Sequence, residues 1–117
     1  MARVLIVDQS AESRDVLRTL LERSGATTIE ARRPEQAIQM AQLHRPDLIV
    51  YDAESDRSDH GTAGDALESA ATQSATPIVI LGKISPLDGR IHGRQFVAKP
   101  YHYGPLIRKI ENLLAAA

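Results

Sequence analysis

Short apolar runs alternate along the chain with longer segments in which apolar residues recur at helical spacing. Runs of the first kind are typical of buried β-strands, and the second pattern is typical of helices with one apolar face. The chain is therefore expected to alternate between strand and helix. The predicted strands are residues 4–7, 27–30, 48–51, 78–81 and 96–98.

Capping and chain-breaking residues mark the ends of the helices between these strands. Ser10 is a suitable N-cap for a first helix, which Gly25 ends. Pro34 is favourable in the first turn of a second helix, which stops before Pro46. The apolar face of the first helix is predicted at Val16, Leu17, Leu20 and Leu21.

Two more helices are predicted in the second half of the chain. Thr62 and Asp65 resemble a capping box at the start of one of them. Its apolar stripe is predicted at Ala66, Leu67, Ala70 and Ala71. The last helix has its apolar face at Leu106, Ile107, Ile110, Leu113 and Leu114.

The alternation of strands and helices indicates a parallel sheet covered by helices, because parallel neighbours need crossover connections. The first, third and fourth strands are continuous apolar runs, whereas the second is half polar and the fifth is short. We therefore expect a flavodoxin-like, doubly wound α/β fold with a five-stranded parallel sheet in the order 2-1-3-4-5. In the crossover between residues 81 and 96, Pro86, Gly89 and Gly93 interrupt the apolar spacing, so the fourth helix should be short or missing.

Length, charge and cysteine content narrow the class of protein. The 117 residues allow one domain, residues 1–117, and the formal net charge of −1 comes without a basic run of the kind that binds nucleic acids or anionic membranes. There is no cysteine and no apolar stretch of about 18 residues, which excludes disulfides, thiolate metal sites and a transmembrane helix. We expect a soluble, cytoplasmic protein that contacts neither nucleic acid nor membrane directly.

Three charged residues, Asp8, Asp52 and Lys99, directly follow the predicted first, third and fifth strands. In the predicted sheet the carboxyl ends of these strands meet at one edge. Neighbouring carboxylates repel each other, and a divalent cation with few protein oxygen ligands, Mg²⁺ in particular, removes that repulsion. Lys99 can bind a phosphoryl oxygen as a point charge, and an aspartate can act as the nucleophile in phosphoryl transfer. The pattern therefore fits a phosphoryl-transfer site, and it fits equally a structural ion pair between Lys99 and one of the two aspartates.

The segments VLIVDQ, PDLIVYD, TPIVIL and VAKPY, in this order, resemble the response-regulator receiver domains of two-component signalling. By that resemblance Asp52 corresponds to the phosphoacceptor, Asp8 to one member of the acidic pair, and Lys99 to the lysine that binds the phosphoryl group. Pro100 corresponds to the proline that usually follows through a cis bond. Phe96 corresponds to the aromatic residue that swings inward on activation.

The resemblance implies a non-enzymatic signalling domain. It would receive a phosphoryl group from a histidine kinase or a phosphotransfer protein and signal to a downstream protein partner by contact. Its expected cofactor is Mg²⁺, with Asp8, Asp52 and Glu54 as candidate ligands, the last through its backbone carbonyl or its side chain. Self-association into a homodimer is a further mode of contact that the sequence leaves open.

Two residues depart from the family pattern. Gln9 stands where the family has the acid that binds the metal directly, which weakens the predicted Mg²⁺ site. Gly82 stands where the family has a Ser or Thr that binds the phosphoryl group, and the missing hydrogen bond is worth about 0.5 to 3 kcal/mol. Gly82 and Phe96 are therefore the switch candidates, although Phe96 also fits ordinary edge-strand packing. The alternative function is a pseudo-receiver, a protein-interaction module that works without phosphorylation.

Other chemistries fit the sequence less well. The acidic loop that begins at Asp52 resembles a calcium loop, but Arg57 and Ala63 occupy the positions that need Gly and Glu. The four histidines show no ligand spacing on a common element. Ser10 stands where a haloacid-dehalogenase-like hydrolase needs a second aspartate and where a cobalamin-binding module needs a histidine. Two-component signalling is thus the favoured setting.

Overall fold

Strands and helices alternate through the parts of the chain that the computed structural model describes, residues 2–53, 62–82 and 94–116. None of the helices in these ranges is long and apolar enough to span a membrane. The cytoplasmic location stays a prediction. The elements are β1 (Arg3–Val7), α1 (Ala11–Arg23), β2 (Thr27–Ala31), α2 (Pro34–His44), β3 (Leu48–Asp52), α3 (Thr62–Gln73), β4 (Ile78–Gly82), β5 (Arg94–Ala98) and α4 (Tyr103–Ala115).

The five strands form one parallel sheet in the order β2-β1-β3-β4-β5. The predicted flavodoxin-like order is confirmed, with β2 and β5 at the edges. β5 was predicted over residues 96–98 only, but it begins at Arg94 and is as long as the other strands. β1, β3 and β4 occupy the centre because their apolar residues are covered on both faces. The predicted short or missing fourth helix falls on residues 83–93, which lie outside the described ranges.

The sheet separates two hydrophobic clusters, because successive strand residues point to opposite faces. One face packs on α1 and α4, and the other packs on α2 and α3. The buried helix residues of the first cluster are Leu17, Leu21, Leu106 and Ile110. Those of the second cluster are Ala37, Leu67 and Ala71.

Local signals set several helix ends as predicted. The Ser10 hydroxyl accepts a hydrogen bond from the backbone N–H of Ser13 at 3.3 Å, which makes Ser10 the N-cap of α1. Gly25 follows α1 with a φ of 98°, a conformation that favours glycine. Pro34 lies in the first turn of α2, which ends at a left-handed Arg45 with a φ of 48°.

Three predictions at the helix surfaces are wrong. Val16 is 39% exposed although it was expected on the buried face of α1, because α1 meets the sheet with only the stripe that holds Leu17 and Leu21. Ala66 is exposed for the same reason on α3. Thr62 is the first residue of α3 rather than the residue before it, a shift of one position from the predicted capping box.

Candidate functional site

Two buried carboxylates lie side by side at the carboxyl edge of the sheet. Val7 of β1 pairs with Tyr51 of β3. The residues that directly follow these two along the chain are Asp8 and Asp52. Asp8 is 1% exposed and Asp52 is 6% exposed. The apolar strands that precede these residues fix their position, since the register leaves no freedom to separate them.

Lys99 reaches this pair from the end of β5. Its backbone N–H donates to the carbonyl oxygen of Gly82 at 2.8 Å, which ties the residue to the end of β4. Its Nζ donates to both carboxylate oxygens of Asp52, each at 2.8 Å. The structure therefore brings together the three residues that the sequence marked at the strand ends.

The carboxyl group of Asp8 is held at one oxygen. Its Oδ1 accepts the backbone N–H of Ser10 at 2.9 Å, while Oδ2 is buried and has no hydrogen-bond donor among the described residues. Burial raises the pKa of Asp8 to about 6. Repulsion by Asp52 contributes to this rise, whereas the Ser10 N–H and the Lys99 ammonium oppose it. The edge thus carries negative charge that nearby groups only partly compensate.

These residues fit a divalent cation of the Mg²⁺ type. Mg²⁺ in proteins is commonly bound by one or two carboxylates and several waters, and Asp8 and Asp52 supply two carboxylates. A carboxylate oxygen has more than one acceptor site, so the pairing of Asp52 with Lys99 still leaves acceptor capacity. Within residues 2–53, 62–82 and 94–116 no group of three or more acidic, histidine or cysteine side chains could hold a metal. The third predicted ligand, Glu54, lies outside the described residues.

Gly82 and Phe96 are neighbours beside the site. A Cβ added at Gly82 would lie 3.5 Å from Cζ of Phe96 and 4.0 Å from Cβ of Ala53, which are ordinary contact distances. A small side chain would therefore fit at position 82. The Phe96 ring is half-buried and packs on the cluster beneath α2 and α3. Whether it switches stays a prediction.

Sequence analysis missed Arg14 of α1, which reads as a surface charge on a helix. Its Nη1 donates to the carbonyl oxygens of Asp8, at 2.6 Å, and of Gln9, at 3.3 Å. Its Nε forms an ion pair with Oε1 of Glu30 on β2 at 3.1 Å. Arg14 therefore contacts the backbone of the loop that carries Asp8.

Two tyrosines beside Lys99 were also missed. Tyr101 and Tyr103 meet edge to face, with ring centroids 5.5 Å apart, and with Lys99 and Pro100 they line an open cleft of about 660 Å³. The Lys99–Pro100 bond is cis. Burial raises the pKa of Tyr101, and the neighbouring Tyr103 and Asp52 add to this effect. Tyr101 therefore stays neutral beside the acidic pair.

Solved structures share the fold of this chain. The signal receiver domain of a signal transduction histidine kinase from Syntrophus aciditrophicus superposes with a TM-score of 0.82 at 24% identity, covering 100% of this chain and 92% of that one. The chemotaxis protein CheY4 of Vibrio cholerae superposes with a TM-score of 0.78 at 22% identity, covering 97% of this chain and 98% of that one. Both comparisons agree with the sheet order described above.

Curated relatives include the transcriptional regulatory protein PdtaR of Mycobacterium tuberculosis, which is 32% identical over 115 residues. That match covers 93% of this chain and 55% of PdtaR, so the chain spans about half the length of this relative. Protein PilH of Pseudomonas aeruginosa is 27% identical over 120 residues, with 98% of this chain and 99% of PilH covered. The family model of the response regulator receiver domain matches residues 4–111, and the chain therefore belongs to this family of two-component signalling domains.

Proposed function

We propose that this receiver domain accepts a phosphoryl group on Asp52 from a histidine kinase or a phosphotransfer protein and then signals to a downstream protein by contact. The observation that supports this proposal best is the pairing of the Asp52 carboxylate with the Lys99 ammonium, beside the buried Asp8. A nucleophilic oxygen, a cation that can hold a phosphoryl oxygen and a second carboxylate are thereby gathered at one edge of the sheet.

Transfer begins with attack by a carboxylate oxygen of Asp52 on the phosphorus of a phosphohistidine. The new O–P bond forms an acyl phosphate while the P–N bond breaks, and the electron pair stays on the imidazole nitrogen, which takes up a proton. The Lys99 ammonium, bonded to Asp52 before transfer, then binds a phosphoryl oxygen. Asp8 and Asp52, with Glu54 as a predicted third ligand, would hold Mg²⁺, which would supply positive charge for the phosphoryl oxygens.

Gln9 and Gly82 make this site weaker than the family pattern implies. The neutral Gln9 removes one negative charge that would attract the cation. Gly82 offers no hydroxyl to the phosphoryl group, and a hydrogen bond to a charged group contributes about 1.5 to 3 kcal/mol. We therefore expect slow phosphorylation that needs high Mg²⁺ concentrations.

The second candidate function is a phosphorylation-independent pseudo-receiver that binds a partner in its unmodified form. Two observations favour it. Gln9 is neutral where the family has an acid, and Gly82 has no hydroxyl to bind a phosphoryl group at a position that the Phe96 ring borders. In this function the domain keeps the receiver fold, and the acidic edge carries no signal.

Intact-mass measurement after incubation with acetyl phosphate and Mg²⁺ separates the two functions. A phosphoryl adduct that hydroxylamine removes, and that is absent in Asp52→Ala but present in the exposed matched control Asp65→Ala, supports phosphorylation on Asp52. The lack of any adduct at saturating Mg²⁺ would reject the first function and favour the pseudo-receiver. An adduct that persists in Asp52→Ala would place the chemistry on another residue.

A further inference from the structure

We propose that Arg14 is a positioning residue for Asp8, and this inference rests on the proposed function of the acidic edge. The hydrogen bonds of Arg14 within the described part of the chain go to Glu30 and to backbone carbonyl oxygens, not to the carboxylates of the acidic pair. It acts through the peptide backbone of the loop between β1 and α1, which it binds at two successive carbonyl oxygens.

The peptide group between Gln9 and Ser10 is held from both sides. Its carbonyl oxygen accepts from Nη1 of Arg14 at 3.3 Å, and its N–H donates to Oδ1 of Asp8 at 2.9 Å. In a trans peptide these two groups point in opposite directions. The guanidinium and the Asp8 carboxylate therefore bind opposite edges of this planar peptide group and restrain it together.

This arrangement orients the Asp8 carboxyl group. A cation on the carbonyl side polarises the peptide and strengthens the hydrogen bond that its N–H donates. Oδ1 of Asp8 is thereby fixed, and Oδ2 is left without a described donor, in a carboxyl group that interacts with Asp52 and Lys99. The shorter contact, 2.6 Å from Arg14 to the Asp8 carbonyl, restrains the backbone of Asp8 itself.

Glu30 holds the guanidinium in place. The Arg14 side chain is only 14% exposed, and its Nε lies 3.1 Å from Oε1 of Glu30. Arg18, one turn further along α1, contacts the other oxygen of Glu30 at 3.7 Å and is 40% exposed. Arg18 also pairs with Asp15. No hydrogen bond between Arg18 and the Asp8 loop is found among the described residues, so Arg18 is a control with the same charge that also contacts Glu30.

The test compares Arg14→Gln with Arg18→Gln in the full ¹⁵N-labelled chain. Mg²⁺ titration followed by amide chemical shifts gives the half-saturating concentration, and hydrogen exchange of the Ser10 amide reports the loop directly. Loss of a residue that orients a ligand typically weakens metal binding by 10- to 100-fold. We expect Arg14→Gln to raise the half-saturating Mg²⁺ concentration about tenfold or more and to speed Ser10 exchange.

The control separates positioning from charge. Removing a positive charge should by itself strengthen Mg²⁺ binding in both variants, and more so in Arg14→Gln because Arg14 is closer to Asp8 and less exposed. Arg18→Gln is therefore expected to keep or slightly improve Mg²⁺ affinity and to leave Ser10 exchange unchanged. Equal effects in the two variants, or unchanged Ser10 exchange in Arg14→Gln, would overturn the proposal.

Two further variants keep the test decisive. Arg14→Lys retains the charge but lacks the planar fork that reaches two carbonyls and Glu30, so partial rescue is expected. Should Arg14→Gln fail to fold, Glu30→Gln tests the same anchor and should speed Ser10 exchange to a smaller degree. If the wild-type chain binds no Mg²⁺, the metal-dependent function fails, whereas Ser10 exchange still decides the role of Arg14.

Discussion

Replacing Asp8 with asparagine should stabilise the metal-free domain at neutral pH. The carboxyl group is 1% exposed, and burial raises its pKa from 3.8 to about 6. One pKa unit corresponds to about 1.36 kcal/mol, so ionising Asp8 in the folded state costs at most about 3 kcal/mol. Asparagine removes that charge and keeps an oxygen that can accept the Ser10 N–H.

The effect has a defined pH window. In the unfolded chain Asp8 loses its proton near pH 3.8, whereas in the folded domain it does so near pH 6. Between these values the folded domain binds more protons than the unfolded chain, so its stability falls as the pH rises. The advantage of Asp8→Asn should therefore be small below about pH 4, grow through this window and level off above pH 6.

Urea unfolding followed by circular dichroism, with a chelator present, measures this difference at several pH values. Asp65→Asn, on the exposed surface of α3, is the matched control and should show no comparable growth. Adding Mg²⁺ should stabilise the wild-type domain more than the Asp8→Asn variant. A free-energy difference that is the same at pH 4 and pH 7.5, or a loss of stability at pH 7.5, would refute the assigned cause.

Three more predictions concern Gly82 beside the site, Gly64 of α3 and the buried face of α1. Gly82→Ser should fold normally, because a Cβ fits there, and should speed phosphorylation by acetyl phosphate about tenfold relative to Gly82→Ala in an intact-mass time course; equal rates would show that a hydroxyl at this position does not reach the phosphoryl group. Gly64→Ala should lower the free energy of unfolding by about 1 to 3 kcal/mol, since the new Cβ would overlap the Tyr51 hydroxyl, and adding Tyr51→Phe should recover part of the loss. Leu17→Ala should cost about 2 to 5 kcal/mol in urea unfolding, whereas Val16→Ser should stay within about 0.5 kcal/mol, and a similar loss for both would contradict the observed face of α1.

The same electrostatics connect stability to the proposed function. Asp52 is compensated by Lys99, whereas Asp8 has one buried oxygen with no described donor. A cation at this edge would therefore stabilise the domain and also prepare it for an anionic phosphoryl group. Replacing Lys99 with a neutral residue would destabilise the domain, because it would leave Asp52 buried without its ammonium partner.

The sequence by itself determined the sheet. Continuous apolar runs placed β1, β3 and β4 in the centre, because central parallel strands are covered on both faces. The half-polar second strand and the short apolar run of the fifth indicated the two edges. That order also brought Asp8, Asp52 and Lys99 to one edge, since the carboxyl ends of parallel strands coincide. The spacing of apolar residues predicted burial less well on the helices, because Val16 and Ala66 are apolar but exposed.

Tertiary structure alone decided how the edge is held. The hydrogen bonds from Arg14 to two backbone carbonyls depend on the path of the loop between β1 and α1. The spacing of hydrophobic residues in the sequence does not predict that path. The placement of the Phe96 ring beside position 82 depends on the spacing of neighbouring strands. The raised pKa of Asp8 depends on its burial, which arises only when the surrounding elements pack. The hydrophobic pattern of the sequence determines which strands and helices are buried. The direction in which each polar group points is determined only when those strands and helices pack together.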